Sequence, residues 1–233
     1  MIRWEVAGPY AVVFTTREGG VSGGAFASLN LGLATDDRPE HVHENRRRVV
    51  TSLGGDPEAL ALNRQIHGAA VLRARAGSRG QVEGDALWTD DPGLPVGALT
   101  ADCVPIALVR EAGERPAVAV VHAGWRGLLA GVVPAAVEAL GGKVAAAVGP
   151  AIGPCCFEIG EDVARPLRAA FGADVVREDR GDLPLATDRA LRAAGVATVE
   201  RFDACTFCER ERFFSHRRDA GVTGRQGVLG LVA

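Results

Sequence analysis

The sequence is short of the residues that several metal and binding chemistries need. It holds one methionine, Met1, and one tyrosine, and aromatic residues make up only 5% of its 233 positions. A blue-copper centre usually adds a weak axial methionine to a His2Cys set, and Met1 is the only methionine available. Five histidines are too few for a multicopper oxidase. Positive charge is not in excess: 26 Lys and Arg against 29 Asp and Glu leave a net charge of −3. That argues against a nucleic-acid or anionic-membrane partner. The arginine clusters ENRRRVV and FFSHRRD are short and read as solvated faces. No apolar run suits a bilayer span, because the longest weakly polar tract, residues 127–153, is broken by Pro134, Glu138 and Lys143. The opening MIRWEVAGPY carries Arg3 and Glu5 and lacks the apolar core of an export signal. The five cysteines, an odd count, then read as reduced thiols, and the expected location is cytoplasmic.

What is present is an ordinary globular composition, 47% apolar and 24% charged, in a chain long enough to bury a sizeable core. Without a repeat or a low-complexity linker, residues 1–233 are expected to form one domain. AVVFTT reads as a strand and REGGVSGGAFASLNLG as a Gly/Ser-rich loop. A helix is expected from about Pro39 to Gly54, capped by Asp36 or Asp37, with Val42, Val49, Val50 and Leu53 on one face. DPEAL opens a short helix capped by Asp56. LNRQIHG and AAVLRAR read as two short strands meeting near Gly68. ALWT, VGALTA, VPIALVR, AVAVVH and KVAAAVG read as strands, as do TVERFDA and GVLGLVA at the end. Helices are expected in GLLAGVVPAAVEALGG, kinked or restarted at Pro134, in EDVARPLRAAFG, interrupted at Pro166, and in LPLATDRALRAAGV. The expectation is an α/β (α+β) fold, with mixed β-sheet and helices outside.

Three residues share one local setting. His67 in RQIHG and His122 in AVAVVHAGWRG each stand beside a glycine where an apolar strand ends, and Cys103 in LTADCVPIAL lies between two apolar runs. Loops at strand ends build sites on a rigid scaffold. Two histidines and a cysteine are a zinc-ligand set, and three protein ligands leave one position open, as in catalytic sites. The same residues suit a Cys–His nucleophile, with Asp85 or Asp102 orienting the base. Taken singly, each is more often a packed core residue, and spacings of this length are not a zinc-finger signature.

The blocks NRQIHGAAV, EGDALWTD, LTADCVPIAL, VVHAGWRGL and GPAIGPCCFEIG occur in the order seen in the YfiH/laccase-domain family, which the chain resembles. FTTREGGVSGG, SLNLG and FFSHRRDAGVTGRQG extend the resemblance over nearly the whole chain. Members of that family are called purine nucleoside phosphorylases or polyphenol oxidases. The resemblance implies one domain of αββα type, similar to a bacterial toxin with Cys–His hydrolase chemistry. It also implies zinc held by His67, Cys103 and His122, with copper as a possible substitute. The implied activity is phosphorolysis of adenosine, inosine and methylthioadenosine, with deamination of adenosine beside it.

Purine nucleosides and phosphate are then the expected partners, and the chain is expected to be a monomer or weak dimer. Arg126, four residues after His122 and beside a helix start at Gly127, is a candidate for phosphate, as is Arg17 in TTREGG; either can instead pair with a surface carboxylate. Asp85 and Asp102 are candidates for a base, a ribose-hydroxyl acceptor or a partner to a ligand histidine. Trp125 can stack a base or simply pack. His41 and His43 are expected to face solvent and His216 to be a hydrogen-bonded residue at the core edge. CTFC, Cys205 to Cys208, offers half of a zinc site, but the adjacent pair Cys155–Cys156 lacks a chelating spacing, so all four are expected to be buried thiols. Two further readings stay open: a cysteine hydrolase or amidase acting on a cell-wall precursor, and a metal-binding module without catalysis.

Overall fold

The computed structural model describes residues 1–111 and 113–233. In chain order the first half contains β1 (Ile2–Arg3), β2 (Tyr10–Phe14), α1 (Pro39–Ser52), β3 (Ala61–Arg64), β4 (Val71–Arg73), β5 (Arg79–Glu83), β6 (Ala86–Thr89), β7 (Val96–Thr100) and β8 (Val104–Arg110). The second half contains β9 (Val118–Ala123), α2 (Trp125–Ala130), α3 (Val132–Leu140), β10 (Val144–Val148), α4 (Glu161–Phe171), β11 (Val176–Arg177), β12 (Arg180–Gly181), α5 (Leu183–Ala193), β13 (Thr198–Arg201) and β14 (Gln226–Val232).

The strands form two six-stranded mixed sheets, ordered β1-β2-β14-β7-β3-β5 and β13-β10-β8-β9-β6-β4, plus the small ribbon β11-β12. Side chains alternate along a strand with a period of two, and the two faces of each sheet go to different cores. On β8, Val104, Ile106 and Leu108 pack under helices α2 to α5, whereas Ala107 and Val109 face the other sheet. On β14, Val228 and Val232 face the space between the sheets, whereas Leu229 and Leu231 meet Val49, Val50 and Leu53 on and just after α1. The result is helix, sheet, sheet, helix, the expected αββα layering. Small residues let the sheets approach: a Cβ on Gly230 would stand 3.1 Å from Val118 Cγ2. No helix among the described residues is long and apolar enough to cross a membrane.

Several local expectations change. The residue before α1 is Arg38, which makes no side-chain cap. Asp37 turns back instead, accepting from Ser22 Oγ at 2.5 Å, Asn30 Nδ2 at 3.0 Å and Arg38 N–H at 2.8 Å. Asp56 does cap its turn, accepting from Glu58 N–H at 3.0 Å, but the turn is a single 3-10 turn. β3 and β4 do not pair near Gly68; they diverge into different sheets. The helix after β9 begins at Trp125, not Gly127. It stops at Gly131, whose φ of +88° is open to glycine. Pro134 then falls in the first turn of α3, where its missing N–H costs nothing. Pro166 lies inside α4 without ending it.

Candidate metal centre and its pocket

β9 explains the position of His122. Val118 and Val120 face the gap between the sheets, so His122 continues that face at the strand's end. Its Nδ1 lies 2.8 Å from Asp85 Oδ1, which leaves Nε2 for the interior of the site. Asp85 is 1% exposed and holds more than the histidine. Its carboxylate accepts N–H bonds from Ile66 at 3.2 Å, His67 at 2.9 Å and Gly68 at 2.7 Å. One buried anion thus fixes both the tautomer of His122 and the loop that carries His67.

That loop is strained. His67 has φ +61°, and Asp102, before Cys103, has φ +87°. Side-chain-bearing residues seldom adopt these angles, and such strain gathers at functional sites. His67 Nε2 stands 3.7 Å from Cys103 Sγ, the two imidazole rings are edge-on with centroids 4.7 Å apart, and one ligand atom from each of His67, Cys103 and His122 lies within 4.8 Å of the others. Gly124 makes room: a Cβ there would come within 2.7 Å of His67 Cδ2 and 3.0 Å of Cys103 Sγ. Burial alone would push the Cys103 thiol up, but the imidazoles of His122 and His67 outweigh it and bring the thiol down to about 6. Burial likewise opposes charge on His122, but Cys103 and Asp85 hold its proton up to about 9. The three side chains can hold one metal ion.

The cluster sits in a pocket of about 620 Å³ whose walls come from β3, β7, the 32–35 loop and the segments around Phe157 and Arg217. The family model described as multi-copper polyphenol oxidoreductase laccase matches residues 11–232. The chain belongs to this YfiH/laccase-domain family. Purine nucleoside phosphorylase YfiH of Shigella flexneri is 38% identical, with 96% of this chain and 94% of that protein covered. A purine nucleoside phosphorylase of Deinococcus radiodurans is 42% identical over 97% of this chain and 90% of its own length. Among solved structures, that of Neisseria meningitidis protein NMB0706 superposes with a TM-score of 0.90 at 34% identity, covering 99% of this chain and 98% of that one.

Of the two aspartates, Asp102 lines the pocket and Asp85 lies behind it. Asp85 braces the histidines. Asp102 accepts from Thr206 Oγ1 at 2.7 Å and from Arg217 N–H at 2.7 Å, tying the Cys103 turn to the C-terminal segment. Neither arginine singled out in the sequence lines this pocket. Arg17 donates to Ala27 O at 2.6 Å and Arg210 O at 3.0 Å, and it borders a separate cleft. Arg126 lies over the Trp125 ring, 4.3 Å from its centroid. Trp125 itself packs against the helix-side core. The pocket draws its cations from Arg46, Arg64, Arg217 and Arg225, and it adds His216, which is exposed at the rim rather than buried at the core edge. His43 faces solvent as expected, whereas His41 is half-buried beside Asp37. Thr100 also lines the pocket, and its Oγ1 is buried with no hydrogen-bond partner among the described residues. Arg225, close before β14, offered no signal in the sequence beyond the matching block GRQG.

The remaining cysteines also differ from expectation. Cys155 and Cys208 are exposed, and Cys156 and Cys205 are half-buried. All four thiols meet, with sulfur atoms within 4.8 Å of one another.

Proposed function

We propose that the chain is a metal-dependent purine nucleoside phosphorylase acting on adenosine, inosine and methylthioadenosine, with deamination of adenosine as a second activity. The observation that carries this reading is the His67–Cys103–His122 cluster inside a cation-lined pocket, in a chain whose relatives are named purine nucleoside phosphorylases. We read residues 1–233 as one domain.

The donor set fits zinc: a thiol already held low and two imidazoles, one locked by a carboxylate on its far nitrogen. Copper also accepts imidazole and thiolate, but His41, His43 and His216 do not join the cluster as a multicopper site would require. When bound, zinc supplies Lewis acidity and an open position for water or substrate. The chain's own groups do the rest. Ile152, Phe157 and Leu99 give the base an apolar wall. Arg225 is the preferred anchor for phosphate, because it is held by Thr223 O and Gly224 O, each at 2.9 Å, and lies near enough to Asp102 and Cys103 to feel both charges. Phosphorolysis then forms a bond from phosphate oxygen to C1′ as the bond to the purine nitrogen breaks, and the purine leaves with the electron pair and takes up a proton.

The test is incubation of purified protein with each nucleoside, with and without phosphate, and identification of both products. Phosphate-dependent release of base with ribose 1-phosphate is expected. Metal-loaded protein that cleaves none of them sinks the reading. A cysteine hydrolase is the second reading, favoured by the line from Cys103, lowered to about 6, through His122 to Asp85. It requires turnover in metal-free protein that iodoacetamide abolishes.

A further inference from the structure

The second cysteine cluster lies on two segments far apart in sequence. Cys155 and Cys156 follow Gly153 in the turn after β10, and Cys205 and Cys208 sit in the turn after β13. Backbone pairing brings these segments together without help from sulfur. Ala151 N–H donates to Ala204 O at 3.3 Å and Thr206 N–H to Ala151 O at 3.0 Å. Arg218 then clamps the CTFC turn, donating to Thr206 O at 2.8 Å and Phe207 O at 3.2 Å. From this scaffold the thiols converge: Cys156 Sγ is 3.3 Å from Cys208 Sγ and 3.5 Å from Cys155 Sγ, and Cys155 Sγ is 3.6 Å from Cys208 Sγ.

We propose that Cys155, Cys156, Cys205 and Cys208 form a second metal site, a tetrathiolate cage for a single zinc-type ion, structural in role and separate from the His67–Cys103–His122 set. Zinc–sulfur bonds of about 2.3 Å place tetrahedral sulfurs about 3.8 Å apart. Cys155, Cys156 and Cys208 already stand a few tenths of an ångström inside that spacing, and Cys205 Sγ lies within 4.8 Å of all three. An iron–sulfur cluster spreads its four cysteines over more than one iron and so needs wider separation across the set. Softness selects the same class of ion, since four sulfurs and no oxygen suit zinc rather than magnesium or calcium. A backbone donor already faces one of these sulfurs. Gly153 N–H donates to Cys205 Sγ at 3.3 Å.

The site would fasten one wall of the pocket. Ile152 and Phe157 flank one cysteine pair, and the Asp102 carboxylate joins Thr206, inside the CTFC turn, to Arg217. A metal here pins both segments without touching substrate.

The test uses the full chain purified in reductant without added metal. The His67→Ala/Cys103→Ser variant should retain about one zinc per chain, and its cobalt-substituted form should show strong thiolate-to-cobalt charge transfer. The Cys205→Ser/Cys208→Ser variant should lose that equivalent. If this variant fails to fold, the wild type decides: peptide mass spectrometry should show these four thiols protected from iodoacetamide until a chelator removes one zinc. A folded His67→Ala/Cys103→Ser variant without zinc, or four thiols that alkylate freely or pair as disulfides in reductant, overturns the proposal. Loss of the first site alone leaves it standing, so the two sites fail independently.

Discussion

Asp85 collects four donors on one buried carboxylate: three backbone amides and His122 Nδ1. Burial would raise its pKa, but His122 and the amides hold it below the ordinary value. A carboxylate depressed on folding contributes stability above its unfolded pKa, and the contribution is lost as pH falls through the folded value. Wild type should therefore shed this part of its stability only in acid, below about pH 4, and Asp85→Asn should lack it at neutral pH. We expect that variant to lose about 2–4 kcal/mol of unfolding free energy and about 10–100-fold in metal affinity. Chemical denaturation and metal titration check both, and unchanged metal affinity would remove Asp85 from its bracing role. Cys103 gives a second test at this scale. In metal-free protein its alkylation should rise through about pH 6, where an ordinary thiol does so near about 8.5. Peptide-resolved mass spectrometry separates Cys103 from the other thiols, and an ordinary profile would mean that the imidazoles do not hold the thiolate.

At the scale of elements, the turn from β9 into α2 is the tightest constraint. Gly124 has φ −80° and ψ 170°, which any residue adopts, so alanine there adds only its methyl. That methyl would stand within 2.7 Å of His67 Cδ2 and 3.0 Å of Cys103 Sγ. Gly124→Ala should therefore cost about 1–3 kcal/mol of stability and displace two of the three ligands together. Zinc content by metal analysis, with circular dichroism as the fold control, is the measurement; full zinc occupancy would show that the loop yields without loss. The elements also show what the sequence made readable. β8 and β9 were visible as apolar runs with clear ends, and His67, Cys103 and His122 because each stands at such an end. β5, RGQVE, is too polar to announce itself. The parting of β3 and β4 depends on which strands they meet, and pairing across long separations leaves no local pattern. Cys155 and Cys156 have no chelating spacing of their own, and the sequence shows the CTFC half but not the pairing of Ala151 with Ala204 and Thr206 that brings the two turns together.

At the scale of the molecule, the pocket is a seam. β3 and β7 supply one wall from the first sheet, the β9 end supplies the floor from the second, and Phe157, His216, Arg217 and Arg225 close it from segments tied down late in the chain. This explains why Arg17 and Arg126 stood out in the sequence while the pocket's cations did not. Arg46 lies on α1 and Arg225 before β14, and only the layered fold brings them to one cavity. A ligand filling the seam touches both sheets and the closing segments, so it should oppose unfolding of the whole rather than stiffen one loop. Inosine at about 100 times its dissociation constant should add about 2.7 kcal/mol, which for a chain of this length raises Tm by roughly 5–10 °C. Phosphate alone should raise Tm by less. Arg225→Ala should remove the phosphate shift and keep most of the inosine shift, because its guanidinium is the half-buried cation beside Asp102 and Cys103, whereas the apolar wall belongs to Leu99, Ile152 and Phe157. Thermal melts of metal-loaded protein, each ligand alone and then both, measure this directly. If Arg225→Ala lowers both shifts equally, Arg225 supports the pocket rather than the anion. If neither ligand moves the wild-type Tm, the seam is not the nucleoside site, and the cysteine hydrolase reading gains the pocket.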